Sequence, residues 1–151
     1  EVDRGELLMS LNQVSSKMRD IVQRIGNLQK ELAEWEHEIP EYSELRNKEV
    51  LITSYSDVTQ HQLEITKLLA EISTVVILIK DLEIRLKKGD FQDLTPALKA
   101  QYQGQITSSL KMLSEHKSDL MQVKGGVEDV LRFYNSVQYV LGSPRMNAFG
   151  E

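Results

Sequence analysis

Residues 73–81 read STVVILIKD, and five large apolar side chains, Val75 to Ile79, follow one another without a polar break. Two readings compete. Four of the five are β-branched, which suits a buried strand. A strand, however, would interrupt its surroundings, whereas the apolar positions on both sides keep a helical period through the run. Leu68, Ile72, Val75, Ile79, Leu82 and Leu86 form one seam, and Leu51, Tyr55, Val58, Gln62, Ile65, Leu69, Ile72, Val76, Ile79, Glu83 and Leu86 form another that shares every second member. Two overlapping seams on one helix imply two neighbours. Ile77 and Ile84 add a third apolar line, so the segment is expected to be the middle of a long helix covered on most of its circumference.

The flanking sequence supplies those neighbours. Leu7, Leu11, Val14, Met18, Ile21, Ile25, Leu28, Leu32, Trp35 and Ile39 alternate by four and three residues, the spacing that holds one seam against a partner while a helix supercoils. Asp3 and Glu6 form a capping pair at its start. Toward the C-terminus, Ile106, Leu113, Leu120, Val127, Tyr134 and Leu141 repeat every seventh residue, with Val123, Val130 and Val137 as a second seam.

Breaks in the pattern fix the boundaries. Pro40, in EHEIPEYSEL, removes a backbone donor and biases Ile39 away from helical geometry. It reads as a tight turn, the rival being a kinked continuous helix. KKGD at 87–90 is a stop signal, with two cations at the negative helix end and a glycine able to take positive φ. Thr95-Pro96 reads as an N-cap followed by proline at the first helical position. Gly142, Ser143 and Pro144 end the last helix and leave a flexible tail over 142–151. The expected fold is therefore all-α: three long helices (about 4–39, 41–88 and 96–141) in an antiparallel coiled coil, an elongated bundle running up-down-up as one domain over 1–141. Helices two and three would each span on the order of 70 Å. At the level of three long helices with heptads, the pattern resembles spectrin-type repeats and other rod-like scaffold bundles, with no shared motif beyond the periodicity.

Composition narrows function. The formal charge of −5 on 151 residues gives no general attraction to phosphate backbones, so nucleic acid is not an expected partner. With no cysteine there is neither a disulfide framework nor a thiolate nucleophile or metal site. The longest apolar run is far short of the roughly 20 residues that cross a bilayer, and EVDRGELL lacks the regions of a signal peptide. A cytoplasmic protein is expected, although a chain that starts without Met reads as a fragment or processed product.

Catalytic and metal-binding patterns are absent. His37, His61 and His116 show no ligand spacing; His61 and His116 lie near seam positions where helices two and three could meet, either as a pH-sensitive or metal site or as bundle-margin side chains. Glu83 interrupts an apolar seam, as a register partner for a base or as a margin residue. GGVEDVL from Gly125 lacks the preceding strand and the lysine of a phosphate loop. Its glycine pair is a hinge or a close-approach site, or else is merely tolerated. No catalytic residue, cofactor, metal or small-molecule substrate is expected, because slender helix pairs seldom enclose a water-shielded pocket.

The remaining signals concern partners. Residues 31–49 hold seven acids against two bases and residues 80–88 four bases against two acids, which suits end-to-end association or, more plainly, solvated helix ends. Trp35, on a seam, is a packing anchor. Phe133, Tyr139 and Val140 fall off the main seam of helix three and, with Met146 and Phe149, form either an exposed apolar end or a second buried flank. The candidate partner-binding residues are Val75, Val76, Ile77, Ile79, Phe133, Tyr139, Val140 and Phe149. The expected role is a non-enzymatic scaffold or adaptor that binds other helical proteins or itself as a homo-oligomer. The alternative is a helical chaperone or secretion-associated factor covering an amphipathic segment of a client.

Overall fold

The computed structural model describes residues 4–37, 47–91 and 93–141, which form three helices: α1 (Arg4–His37), α2 (Lys48–Lys88) and α3 (Pro96–Leu141). The protein is an all-α helical bundle, with no strand among the described residues. STVVILIKD lies inside α2, as the unbroken period around it requires.

Two of the helix ends follow from the expected signals. Gly89 takes φ +76° and its N–H donates to the Leu86 carbonyl at 3.2 Å, while the Asp90 N–H reaches back to the Arg85 carbonyl at 3.1 Å. This pair of bonds satisfies carbonyls that α2 would otherwise leave bare. Phe91 then tucks in as a buried residue with the Arg85 guanidinium over its ring, 5.1 Å from the centroid. At the start of α3 the Thr95 hydroxyl accepts from the Leu98 N–H at 3.2 Å, and Pro96 occupies the first helical position, where a missing N–H costs nothing.

The start of α2 differs from expectation. It begins at Lys48 rather than near Glu41, because the Asn47 side-chain oxygen accepts from the Glu49 N–H at 3.0 Å and so caps the helix there. Residues 38–46, with Ile39 and Pro40, lie outside the described residues, as do Asp3 and the tail 142–151. α1 packs on α2 where the Trp35 and His61 rings meet at 4.5 Å.

The helices cluster into two compact units, one of Glu1–Ile25 with Lys67–Leu120, the other of Gly26–Thr66 with Met121–Glu151. The first joins the beginning of α1 to the end of α2, and the second joins the end of α1 to the beginning of α2.

In the first unit Leu7, Val14, Met18 and Ile21 of α1, Leu68, Ile72, Val75, Ile79, Leu82 and Leu86 of α2, and Tyr102, Ile106, Leu113 and Leu120 of α3 are buried together. Arg24 of α1 donates to Glu71 of α2 at the margin of this core.

In the second unit the core holds Leu28 and Leu32, Leu51, Val58, His61 and Ile65, and Val123, Val127, Val130, Tyr134 and Val137. Gly126 marks the tightest approach there. A Cβ added to it would stand 2.5 Å from Leu32 Cδ2 and 3.3 Å from Glu36 Oε1, whereas one added to Gly125 would meet nothing within 4 Å. The glycine pair thus divides into one residue facing open space and one that admits a side chain of α1.

The register of α2 also needs correction. Its buried positions are Leu51, Val58, His61, Ile65, Leu68, Ile72, Val75, Ile79, Leu82 and Leu86, a single alternation of threes and fours once the half-buried Ser54 is included. The other expected seam contributes only half-buried flanks at Tyr55, Gln62, Leu69, Val76 and Glu83. Polar side chains at two core positions disguised which seam carries the core.

Candidate interaction surfaces

Within the opening stretch the structure separates the residues sharply. Val75 and Ile79 (1 % exposed) belong to the core of the first unit and Val76 is half-buried, so these three serve the bundle itself. Ile77 is 68 % exposed and Ile84, one heptad on, is 51 % exposed. The expected sheath is incomplete here: α1 and α3 cover α2 on two flanks and leave its third face to water. Side chains exposed to this degree contribute little burial within the unit.

Along that outer face the sequence is Ala70, Thr74, Ile77, Asp81, Ile84 and Lys88, spaced by fours and threes like a coiled-coil seam. Asp81 lies between the two isoleucines. Its partner is Arg85, at 3.8 Å, the outer limit of an ion pair.

On the same unit, α1 and α3 border an open groove of about 390 Å³. Met18, Val22 and Met112 give it apolar walls, and Ser15, Arg19, Gln23, Ser109 and His116 give it polar ones. A second hollow of about 470 Å³ shares Ser15 and Ser109 with it and continues toward Leu8 and Gly104. The groove has a cause in the sequence. Tyr102, Ile106, Leu113, Leu120 and Val123 set the buried seam of α3, and Ser109 and His116 occupy two of its positions without filling them as Leu or Val would. The His116 Nε2 atom is buried there with no hydrogen-bond partner among the described residues.

In the second unit His61 is 4 % exposed and fully engaged. Its Nδ1 lies 2.9 Å from Glu31 Oε2 and its Nε2 3.2 Å from the Leu28 carbonyl oxygen, with the edge of Trp35 against the ring. Both partners are acceptors, so only a ring carrying a proton on each nitrogen donates to both. All three contacts come from α1, and the ring is buried rather than at the margin of its unit. No group of three or more His, Asp or Glu side chains among the described residues is placed to hold a metal ion.

At the end of α3, Tyr139 is 80 % exposed, with Phe133 and Val140 more than a third exposed beside it. Phe133 meets the buried Tyr134 edge-on at 5.5 Å between centroids. These three are therefore turned outward rather than forming a second buried flank. A shallow hollow of about 300 Å³, lined by Leu51, Ile52, Tyr55 and Gln138, lies on the same unit. Phe149 and Met146 lie outside the described residues. Of the acidic run, Glu31 holds His61, while Glu38, Glu41 and Glu44 are likewise outside the described residues.

No described helix is long and apolar enough to cross a membrane. No protein-family model, curated protein or solved structure matches the chain.

Proposed function

We propose that this chain is a non-enzymatic scaffold or adaptor of the cytoplasm that binds other helical proteins, and itself, through apolar helix faces left outside its cores. The observation that carries this reading is the exposure of Ile77, Ile84, Phe133, Tyr139 and Val140 outside the buried cores of their units. Exposed aromatic and aliphatic clusters favour partner binding over solvation. The groove and hollows are open to solvent, which suits gripping a helix better than shielding a reaction from water.

A second reading is favoured by the face at the end of α3: a chaperone that holds a client's amphipathic segment against Phe133, Tyr139 and Val140. Affinity capture from cell extract, comparing the wild type with a Phe133→Ser, Tyr139→Ser, Ile77→Ser triple variant, tests both. A scaffold retains a stable set of helical partners that the triple variant loses. A chaperone retains clients that exchange within minutes and depend on the two α3 residues alone. A partner set indifferent to all three substitutions refutes both readings.

A further inference from the structure

We infer that His61 is a proton-operated latch, holding the end of α1 against α2 through two hydrogen bonds in acid and giving up one of them as the pH rises. The latch is independent of the proposed function, and either can fail alone.

The sense of the switch follows from the count of donors and acceptors. The buried ring meets two acceptors of α1, Glu31 Oε2 at 2.9 Å from Nδ1 and the Leu28 carbonyl oxygen at 3.2 Å from Nε2. A neutral imidazole carries one N–H, so in either tautomer one nitrogen turns a lone pair toward an oxygen. The Leu28 carbonyl has no proton to offer in return, since it lies within α1 and accepts from the helix backbone. The neutral ring therefore keeps one contact and must withdraw from the other.

The surrounding charges act in the same direction. Burial alone favours a neutral ring, and nearby carboxylates favour the cation. On α1, Glu31 forms its ion pair with His61 and with no other described residue, while Lys30, Glu34 and His37 are exposed and Glu36 is turned toward Gly126. On α2, Asp57 and Glu64 lie one turn to either side of the ring. On α3 the core positions are Val123, Val127, Val130 and Tyr134, and the charged Lys124 and Glu128 pair with each other at 3.9 Å. Both bonds are thus complete in acid, where the ring carries two protons. One is lost as the pH rises through the range where imidazole gives up the second, ordinarily about 6.5.

Trp35 reports on the ring directly. It is the only tryptophan of the chain, and its ring stands edge-on to His61 at 4.5 Å. Contact with an imidazolium quenches indole emission, so the fluorescence of the folded protein should rise between about pH 5 and pH 9. The rise should vanish in His61→Leu, persist in His37→Gln and His116→Gln, and move to lower pH in Glu31→Gln, an exposed position where the substitution keeps an acceptor and removes the charge.

Hydrogen exchange of the 28–37 amides, taken as a ratio to His61→Leu at the same pH, reads the latch itself. Their protection should fall at least about tenfold between about pH 5.5 and pH 8.5, the loss of one hydrogen bond to a charged group. Emission that is flat over this range, a titration that survives in His61→Leu, or a protection ratio that does not change with pH overturns the inference. Should His61→Leu fail to fold, Glu31→Gln decides in its place: fluorescence and exchange profiles identical to those of the wild type overturn it.

Discussion

The adjacent glycines of α3 make the sharpest test of the packing, because they are alike in sequence and opposite in surroundings. Replacing either by alanine removes a helix-interior glycine, which by itself stabilises by roughly 0.8 to 1 kcal/mol. At Gly125 nothing opposes the gain, since an added Cβ meets no atom within 4 Å. At Gly126 the new carbon would stand 2.5 Å from Leu32 Cδ2, more than 1 Å inside ordinary carbon–carbon contact at about 3.5 to 4.0 Å. Leu32 is buried, so its methyl groups must move into a filled core, and overpacking of this kind costs about 1 to 3 kcal/mol. Gly125→Ala should therefore raise the melting temperature by about 2 to 4 °C, while Gly126→Ala leaves it unchanged or lowers it.

Leu32 supplies the control. In a Leu32→Ala background, itself destabilised by about 2 to 5 kcal/mol, the obstructing methyl groups are gone and Gly126→Ala should become stabilising. The coupling between the two sites would then be about 1 to 3 kcal/mol, measured from urea titrations of the four proteins by circular dichroism. If Gly126→Ala stabilises the wild type as much as Gly125→Ala does, the close approach of α1 and α3 in that unit is refuted.

Other substitutions bear on particular elements. Ile79→Ala should cost about 2 to 5 kcal/mol and Ile77→Ser less than about 0.5, although both come from the same apolar run; equal losses by urea titration would contradict their placement. His61→Leu fills a buried heptad position with an apolar side chain, while Glu31, more than half exposed, returns to water. It should be neutral or stabilising by about 1 kcal/mol, against a loss of about 2 kcal/mol or more for His61→Ala, and a large loss for Leu would show that the imidazole bonds dominate. Gly89→Ala forces an L side chain into φ +76° and should cost about 1 to 2 kcal/mol in thermal unfolding. Thr95→Ala removes the hydroxyl that caps α3 and should cost about 1 kcal/mol, with Thr95→Asp close to wild type; the same loss in both would reject the cap.

Much of the fold is legible in the sequence because heptad spacing and end signals act locally. The seam of α1, the KKGD stop and the Thr95-Pro96 start need no tertiary knowledge. The register of α2 is harder to read, since two interleaved seams share members and each carries two polar residues, Ser54 and His61 on one, Gln62 and Glu83 on the other. Ser54 and His61 count against the true one, although His61 is satisfied by Leu28 and Glu31 once α1 is beside it. The groove escaped for a related reason: Ser109 and His116 leave space, and periodicity records what is apolar rather than what is underfilled. The Asn47 cap is hard to read because Pro40 supplies a stronger boundary signal nearby. Ile77 and Ile84 read as interior because sequence shows that a face is greasy without showing that only two neighbours cover it. Among the candidate partner residues, Ile77, Phe133, Tyr139 and Val140 emerge on surfaces, while Val75 and Ile79 do not.

A heptad-repeating bundle has an ambiguity of phase: one helix can slide by seven residues and still set apolar side chains against apolar side chains. The His61 contacts remove that degeneracy in their unit. After such a slip the imidazole would face a different turn of α1, Leu28 and Trp35 would meet Ser54 or Leu68 instead, and the Glu31 carboxylate would have no ring to receive it. The histidine thus acts as a keyed tooth in an otherwise smooth track, trading some adhesion for a single alignment.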